Sequence, residues 1–204
     1  MPIIKYVILF KKALPVMWSF LELINGILFK LIFFKKVKSN ASHILRSFEN
    51  EKYAYRLLAP EDIEYLFEFF QRQNQPQYLF FNPHNFDKKS LKRLFNNPSI
   101  FLFGVFDGNK LIGYFILRCY NNKKCFIGRL VDEVHQNQGI AKNMGKILHQ
   151  IAWKSNFRIF STISKENVKS LNSYQAFIDY KVIAELDNKY LYIEFLETKE
   201  KHLK

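Results

Sequence analysis

Residues 131–148, "VDEVHQNQGIAKNMGKIL", join the end of an apolar strand-like run, a polar turn with one glycine and a basic amphipathic helix. A strand stopping at Val131 before a helix that starts near Gly139 leaves the first backbone N–H groups of that helix unpaired, and the helix dipole adds positive potential there. Gly139 and Ala141 are small enough to let an anion approach the backbone. No Asp or Glu falls between Val134 and Lys165, whereas Lys142, Lys146, Lys154, Arg158 and Lys165 do. The junction therefore reads as a cradle for a phosphate-bearing ligand, although the same spacing also fits a plain glycine connection into a solvated basic helix. Two other phosphate motifs are missing: G-x-x-x-x-G-K-[ST] does not occur, and Gly139, Ala141 and Gly145 do not satisfy G-x-G-x-x-G.

The elements that must hold this junction are regularly punctuated. "YRLL" reads as a strand, and "APEDIEYLFEFFQRQ" as a helix with acids in its first turn and Ile63, Leu66, Phe67 and Phe70 at helical spacing. The prolines of "NQPQYLFFNPHNF" mark a loop, and "DKKSLKRLFNNP" a short helix. "SIFLFGVF" and "LIGYFILRCY" flank the turn "DGNK", and "NNKK" returns the chain into "CFIGRLV", giving a three-strand meander. Ile140, Met144, Ile147, Leu148 and Ile151 form one apolar stripe on the helix after the junction. Then follow a strand "FRIFSTI", a helix "ENVKSLNSYQAFI" and a hairpin, "YKVIAEL" with "KYLYIEF", turned at "DN".

Gln136-Asn137-Gln138-Gly139-Ile140-Ala141 resembles the R/Q-x-x-G-x-G/A acetyl-CoA signature of the GNAT superfamily of N-acetyltransferases. The stretch "VDEVHQNQGIA" matches its usual approach from the fourth strand, and the element order over roughly residues 55–195 is also that of the family. The resemblance implies an α/β (α+β) fold: a mixed central sheet of about seven strands, split between strands 4 and 5 and flanked by helices. It implies acetyl-CoA as donor, its pantetheine arm in the gap beside Leu130 and Val131. The pyrophosphate would rest on the amides of Gln138, Gly139, Ala141 and Lys142, where Ile140 opens the helix, with Gln136 and Asn137 shaping the turn. The Val131 N–H would face the thioester carbonyl, where a fixed donor needs no reorganisation as oxyanion charge develops. Asn167, Ser170 and Tyr174 match the family's Asn, small residue, Tyr pattern after the fifth strand, and the Tyr174 position supplies a general acid to the departing thiolate. Read from residues alone, a Tyr at the spacing of Tyr174 is more often a half-buried core phenol, and Asn167 is equally a helix cap. Two departures stand out: "IDYKV" comes one residue later than the family's Gly-Phe pair, and "CFIGRLV" carries no carboxylate to serve as base. Glu133 lies past that strand, and His84 is expected at the surface of its loop.

A chain of 204 residues, 49% hydrophobic and 17% aromatic, can bury one core. Its formal charge of +13 favours an anionic partner. Cys119 and Cys125 are too few for a disulfide scaffold and read as small apolar fillers, and no ligand spacing suggests a metal. Residues 1–50 differ from the 51–204 domain: Lys5, Lys11, Lys12, Lys30, Lys35, Lys36, Lys38 and Arg46 stand against only Glu22 and Glu49. On a helix, Pro15, Ser19, Glu22, Gly26 and Lys30 form one narrow stripe and the rest is apolar. Glu22, Asn25 and Lys30 oppose a membrane span; an interfacial anchor and a helix covering the domain or a partner both remain open. Peripheral membrane contact through residues 1–38, a cytoplasmic location at the inner membrane face and a homodimer are expectations. Nucleic acid is not expected, because the aromatic residues follow core periodicities. The function expected is acetyl transfer from acetyl-CoA to a primary amine, such as an amino sugar of a surface-polysaccharide pathway. The competing reading is a non-catalytic module of the same fold that docks a membrane or a partner protein.

Overall fold

The computed structural model describes residues 13–48, 52–73 and 80–197. The lysines at positions 5, 11 and 12, part of the proline-containing loop and the tail from residue 198 lie outside them. Two helices, α1 (Pro15–Ile32) and α2 (Phe34–Arg46), precede β1 (Ala54–Leu57). Then come α3 (Ile63–Gln71), α4 (Lys88–Phe95), β2 (Ile100–Asp107), β3 (Lys110–Cys119) and β4 (Lys124–Val131). The chain closes with α5 (Ile140–Lys154), β5 (Arg158–Ser164), α6 (Val168–Gln175), β6 (Tyr180–Leu186) and β7 (Tyr190–Phe195).

The sheet has seven strands in the order β1-β2-β3-β4-β5-β7-β6. All its pairs are antiparallel except β4 with β5, the mixed sheet expected. Its central strands β2 and β3 are buried almost throughout, because helices cover both faces. On one face Ile140, Met144, Ile147, Leu148 and Ile151 of α5 pack with Phe103, Phe115, Ile127 and Ile159. On the other, Leu66, Phe69 and Phe70 of α3 and Leu91 of α4 pack with Leu102, Tyr114 and Leu130. The buried stripe of α3 thus takes in Phe69, leaving Phe67 at the margin. Helix α6 ends at Gln175, sooner than the periodicity suggested, and Phe177 follows it as a turn residue.

Helix α2 shares the α5 core through Val37, Ala41, Ile44 and Leu45, so this part of the 1–50 segment is packed into the domain. The "DN" turn holds Asp187 and Asn188 both left-handed, as a tight hairpin requires. Beyond Tyr180, the displaced "IDYKV" segment joins the sheet at its edge, with a register shift between Val182 and Ala184. Cys119 and Cys125 face each other across β3 and β4 as free buried thiols, whose pKa values burial raises.

Two histidines, one buried and one half-buried, are uncharged. His149 on α5 is 2% exposed among Trp153, Tyr174, Phe177 and Phe195; burial, aided by the Arg129 charge, pushes its pKa down to about 3. Burial likewise pushes His84 down to about 4. Both folded values lie below the unfolded one, so their stabilisation is complete above about pH 6.5 and is lost as pH falls from there, the unfolded chain taking up protons that the folded chain refuses. From about pH 7 to about pH 5, each histidine should remove about 2 kcal/mol of unfolding free energy. Denaturant titrations at the two pH values should show His149→Phe halving the loss seen in the unaltered chain.

Candidate functional site

Strands β4 and β5 are bonded only at their beginnings, Lys124 with Arg158, Cys125 with Ile159 and Phe126 with Phe160. Beyond these pairs they part, and the Ser161 hydroxyl donates to the Ile127 carbonyl (3.3 Å) where the fork opens. The β3–β4 register sets Gly113 opposite Val131, while the Asp132 N–H donates to the Ile112 carbonyl at 2.8 Å. In an antiparallel ladder the bonded pairs alternate, so the N–H groups of Ile127, Arg129 and Val131 turn to the other edge of β4, into the fork. Leu130 faces the α3 side of the sheet instead and is buried there.

At the top of β4 the Asp132 carboxylate is clamped by Gln73 Nε2 (3.0 Å) and Arg72 Nε (3.2 Å), which tie the turn to the end of α3. A short 3-10 turn, Glu133–His135, follows, and the Gln136 N–H donates to the Glu133 carbonyl. Asn137 (φ 61) and Gly139 (φ 78) are left-handed on either side of Gln138 and turn the backbone outward. A Cβ placed on Gly139 would meet nothing within 4 Å, so the glycine is required by its φ and the space before it is open. The Gln138 side chain is drawn away, its Oε1 accepting from the Tyr53 hydroxyl at 2.5 Å.

Gly139 caps α5 without a side-chain acceptor, and the first helical N–H that returns to the turn is that of Asn143, donating to the Gly139 carbonyl at 3.1 Å. Among the described residues, the N–H groups of Gln138, Gly139, Ile140, Ala141 and Lys142 have no protein acceptor. Except for Ile140, whose side chain is in the core, these residues are exposed or half-buried. The expected anion cradle is therefore open.

The surrounding charge differs from the expectation. Arg158 is paired with Glu194 (2.6 Å) and Lys165 with Glu185 (2.6 Å), acids supplied by β7 and β6 that proximity in sequence does not reveal. Lys142, Lys146 and Lys154 have no ion pair among the described residues, so α5 contributes positive charge, and Lys52 adds its own from outside, its Nζ donating to Gln138 Oε1 at 3.3 Å.

Across the fork, Asn167 caps α6, its side chain accepting from the Ser170 N–H at 3.1 Å. Tyr174 is only 2% exposed, with Phe195 4.7 Å from its ring centre. Arg129, which composition arguments passed over, lies half-buried with its guanidinium 3.8 Å from the Tyr174 ring centre. It donates to the Ala141 carbonyl and, at 3.1 Å, to the Ser173 hydroxyl, bridging α5 and α6. Burial lowers its pKa, and no carboxylate pairs with it among the described residues. Its sequence signal was a lone charge at an inward position of the alternation Cys125, Ile127, Arg129, Val131.

His84, expected at the surface, is half-buried on the α3 side of the sheet among Phe70, Phe86 and Tyr114. Its Nδ1 meets the Asn85 carbonyl (2.8 Å), so Nε2 accepts from the Tyr114 hydroxyl (2.9 Å). No cluster of metal-ligating side chains occurs among the described residues.

The model of the acetyltransferase (GNAT) family matches residues 61–180, more than half of the chain. The chain belongs to the GNAT family. Its fold is similar to that of the ribosomal-protein-S5-alanine acetyltransferase from Vibrio fischeri, at 19% identity and a TM-score of 0.61 over 75% of this chain and 97% of that one. The PaiA N-acetyltransferase from Thermoplasma acidophilum, in complex with coenzyme A, is similar at 17% identity and a TM-score of 0.60, over 71% and 99%. The spermidine N-acetyltransferase from Vibrio cholerae, with coenzyme A and spermine, is similar at 19% identity and 0.55, over 72% and 94%. At these identities the likeness is one of fold. No curated protein matches the chain.

The acyl donor of the GNAT family is acetyl-CoA, so the diphosphate of coenzyme A is the anion to test at this cradle. Ala141→Asp should place a carboxylate among the open amides. A first-turn acid favours the helix, so the melting temperature of the free protein should hold or rise, while the dissociation constant for coenzyme A, measured calorimetrically, should increase roughly 100-fold or more through like-charge repulsion.

Proposed function

We propose that the protein is an acetyl-CoA-dependent N-acetyltransferase acting on a primary amine by direct attack in a ternary complex. The observation that carries this reading is the continuity of unpaired donors, from the amides of Gln138, Gly139, Ala141 and Lys142 to the Val131 N–H in the fork. The amides hold the donor's diphosphate, and the fork takes its pantetheine arm beside Val131. The amine nitrogen attacks the thioester carbonyl, whose oxygen gathers negative charge against the Val131 N–H. As the carbon–sulfur bond breaks, the Tyr174 hydroxyl protonates the thiolate. Arg129, stacked on the Tyr174 ring, adds positive charge where the thiolate forms.

His84 Nε2 is committed to Tyr114 and its ring is neutral. The amine therefore enters unprotonated, and the proton that its nitrogen sheds on forming the amide passes through solvent, which returns one to the Tyr174 phenolate. The acceptor class we favour is an amino sugar. Supporting it, the half-buried ring of Phe81, stacked on Phe86, lies against Gly128, so aromatic side chains of the kind that pack on a pyranose border the strand that carries Val131.

Release of coenzyme A thiol in the presence of a panel of amino sugars, polyamines and amino acids tests the proposal. Amine-dependent release supports it, and release with none of them, from protein that binds acetyl-CoA, supports the non-catalytic module instead. Tyr174→Phe should lower kcat about 100-fold or more while leaving the KM for acetyl-CoA within a few-fold, the pattern of a group used only in the transition state.

A further inference from the structure

Helix α1 is docked with its polar side inward. Asn25 donates to the Cys119 carbonyl (3.1 Å) and accepts from the Asn121 N–H (3.0 Å). Glu22 receives the Trp18 indole N–H (2.8 Å) and lies 3.5 Å from Arg118. Gly26 is pressed so closely on Asn97 and Pro98 that an added Cβ would lie 3.1 Å from Asn97 Oδ1, and Phe29 is buried among Phe33, Phe101 and Phe157. The middle of the polar stripe, Glu22 and Gly26, is therefore turned to the protein, while Ser19 and Lys30 remain exposed. What faces outward is apolar: Val16 (83% exposed), Phe20 (59%), Leu23 (59%), Ile27 (53%), Leu31 (78%) and Ile32 (62%).

We propose that this outward face of α1 lies in the surface layer of an anionic lipid bilayer. Three observations favour lipid over a second copy of the chain. A helix pair buries one seam of about two residues per turn, whereas the exposed apolar residues of α1, with Met17, Leu21, Ile24 and Leu28 beside those just named, span about half its circumference at about 100° per residue, a face that a bilayer surface accommodates as a whole. Residues 23–48 hold no acid but carry Lys30, Lys35, Lys36, Lys38 and Arg46, all exposed, so charge gathers beside the apolar face as anionic headgroups demand. No single helix among the described residues is long and apolar enough to cross a membrane; α1 and α2 together have the length and composition of a span but are bent by 72° at their junction. Because α2 is held in the core, α1 lies along the surface.

The docking fixes an orientation. Asn25 and Gly26 touch the ends of β3 and α4 and the loop leading to β4, the opposite end of β4 from the Asn137–Gly139 turn. At about 3.3 Å per residue the eight residues of β4 set the turn roughly 25 Å from α1, so the acyl donor reaches its cradle from the aqueous side. This inference is independent of the acyl-transfer reading.

Flotation of the full chain tests it, with detergent removed in the presence of vesicles of phosphatidylcholine alone or with about 30% phosphatidylglycerol. The unaltered chain should float with the anionic vesicles. The triple variant Phe20→Asp, Leu23→Asp, Ile27→Asp should remain at the bottom while keeping a cooperative melting transition. Lys35→Gln with Lys36→Gln, which leaves the apolar face intact, should lower the partition coefficient roughly 25-fold at low salt and by less at high salt. Failure of the unaltered chain to float, equal flotation of both variants, or a discrete dimer that the aspartates convert to monomer without any vesicle binding would overturn the proposal.

Discussion

Two strands that begin as neighbours and then separate are the constraint on which the site depends. β4 and β5 hold together for three residue pairs and then part, which strips the far end of β4 of its expected partner and turns the Val131 N–H into the gap. A sheet ordinarily cannot afford such unpaired groups in its interior. Here both faces of the sheet are packed by core residues, and Ser161 supplies a hydrogen bond at the apex of the fork. The turn beyond β4 is fixed in the same way, Asp132 being held by Arg72 and Gln73 from the neighbouring helix. Contacts within the fold thus orient the donors, the condition under which fixed dipoles stabilise developing charge most effectively.

Charge is placed sparingly around this fork. Two of the cations nearest in sequence are neutralised by Glu185 and Glu194, which leaves the lysines of α5, Lys52 beside Gln138 and the single guanidinium of Arg129. A guanidinium without an acid partner is costly to bury. Hydrogen bonds to Ala141 and Ser173 and the π-face of Tyr174 offset part of that cost. His149, on the next turns of α5, avoids the same cost by staying neutral.

Much of this was legible in the sequence, and for identifiable reasons. The hairpin turns at Asp-Gly and Asp-Asn, the Asn137 and Gly139 junction and the apolar stripe of α5 are local features, set by backbone conformations that few residues tolerate. The fork itself was not; only the resemblance of 131–141 to a family signature placed it, since periodicity shows a strand and not its neighbour. Contacts between residues far apart in the chain were also hidden. Glu185 and Glu194 reach their partners across the sheet, and Tyr114 reaches His84 from β3. For α1, the stripe of Glu22 and Gly26 was visible, but amphipathicity does not say which side meets water. The structure turns that stripe inward, against Arg118, Asn121 and Pro98.

The proposed binding of the acyl donor rests on the backbone N–H groups between β4 and α5 that have no protein acceptor among the described residues. Hydrogen exchange followed by mass spectrometry with and without coenzyme A reads those amides directly. The peptide covering residues 136–143 should exchange quickly in the free protein and become protected with saturating ligand, since its exposed N–H groups gain acceptors. If that peptide is already protected in the free protein, or is unchanged while coenzyme A is bound, the cradle is not where the donor is held.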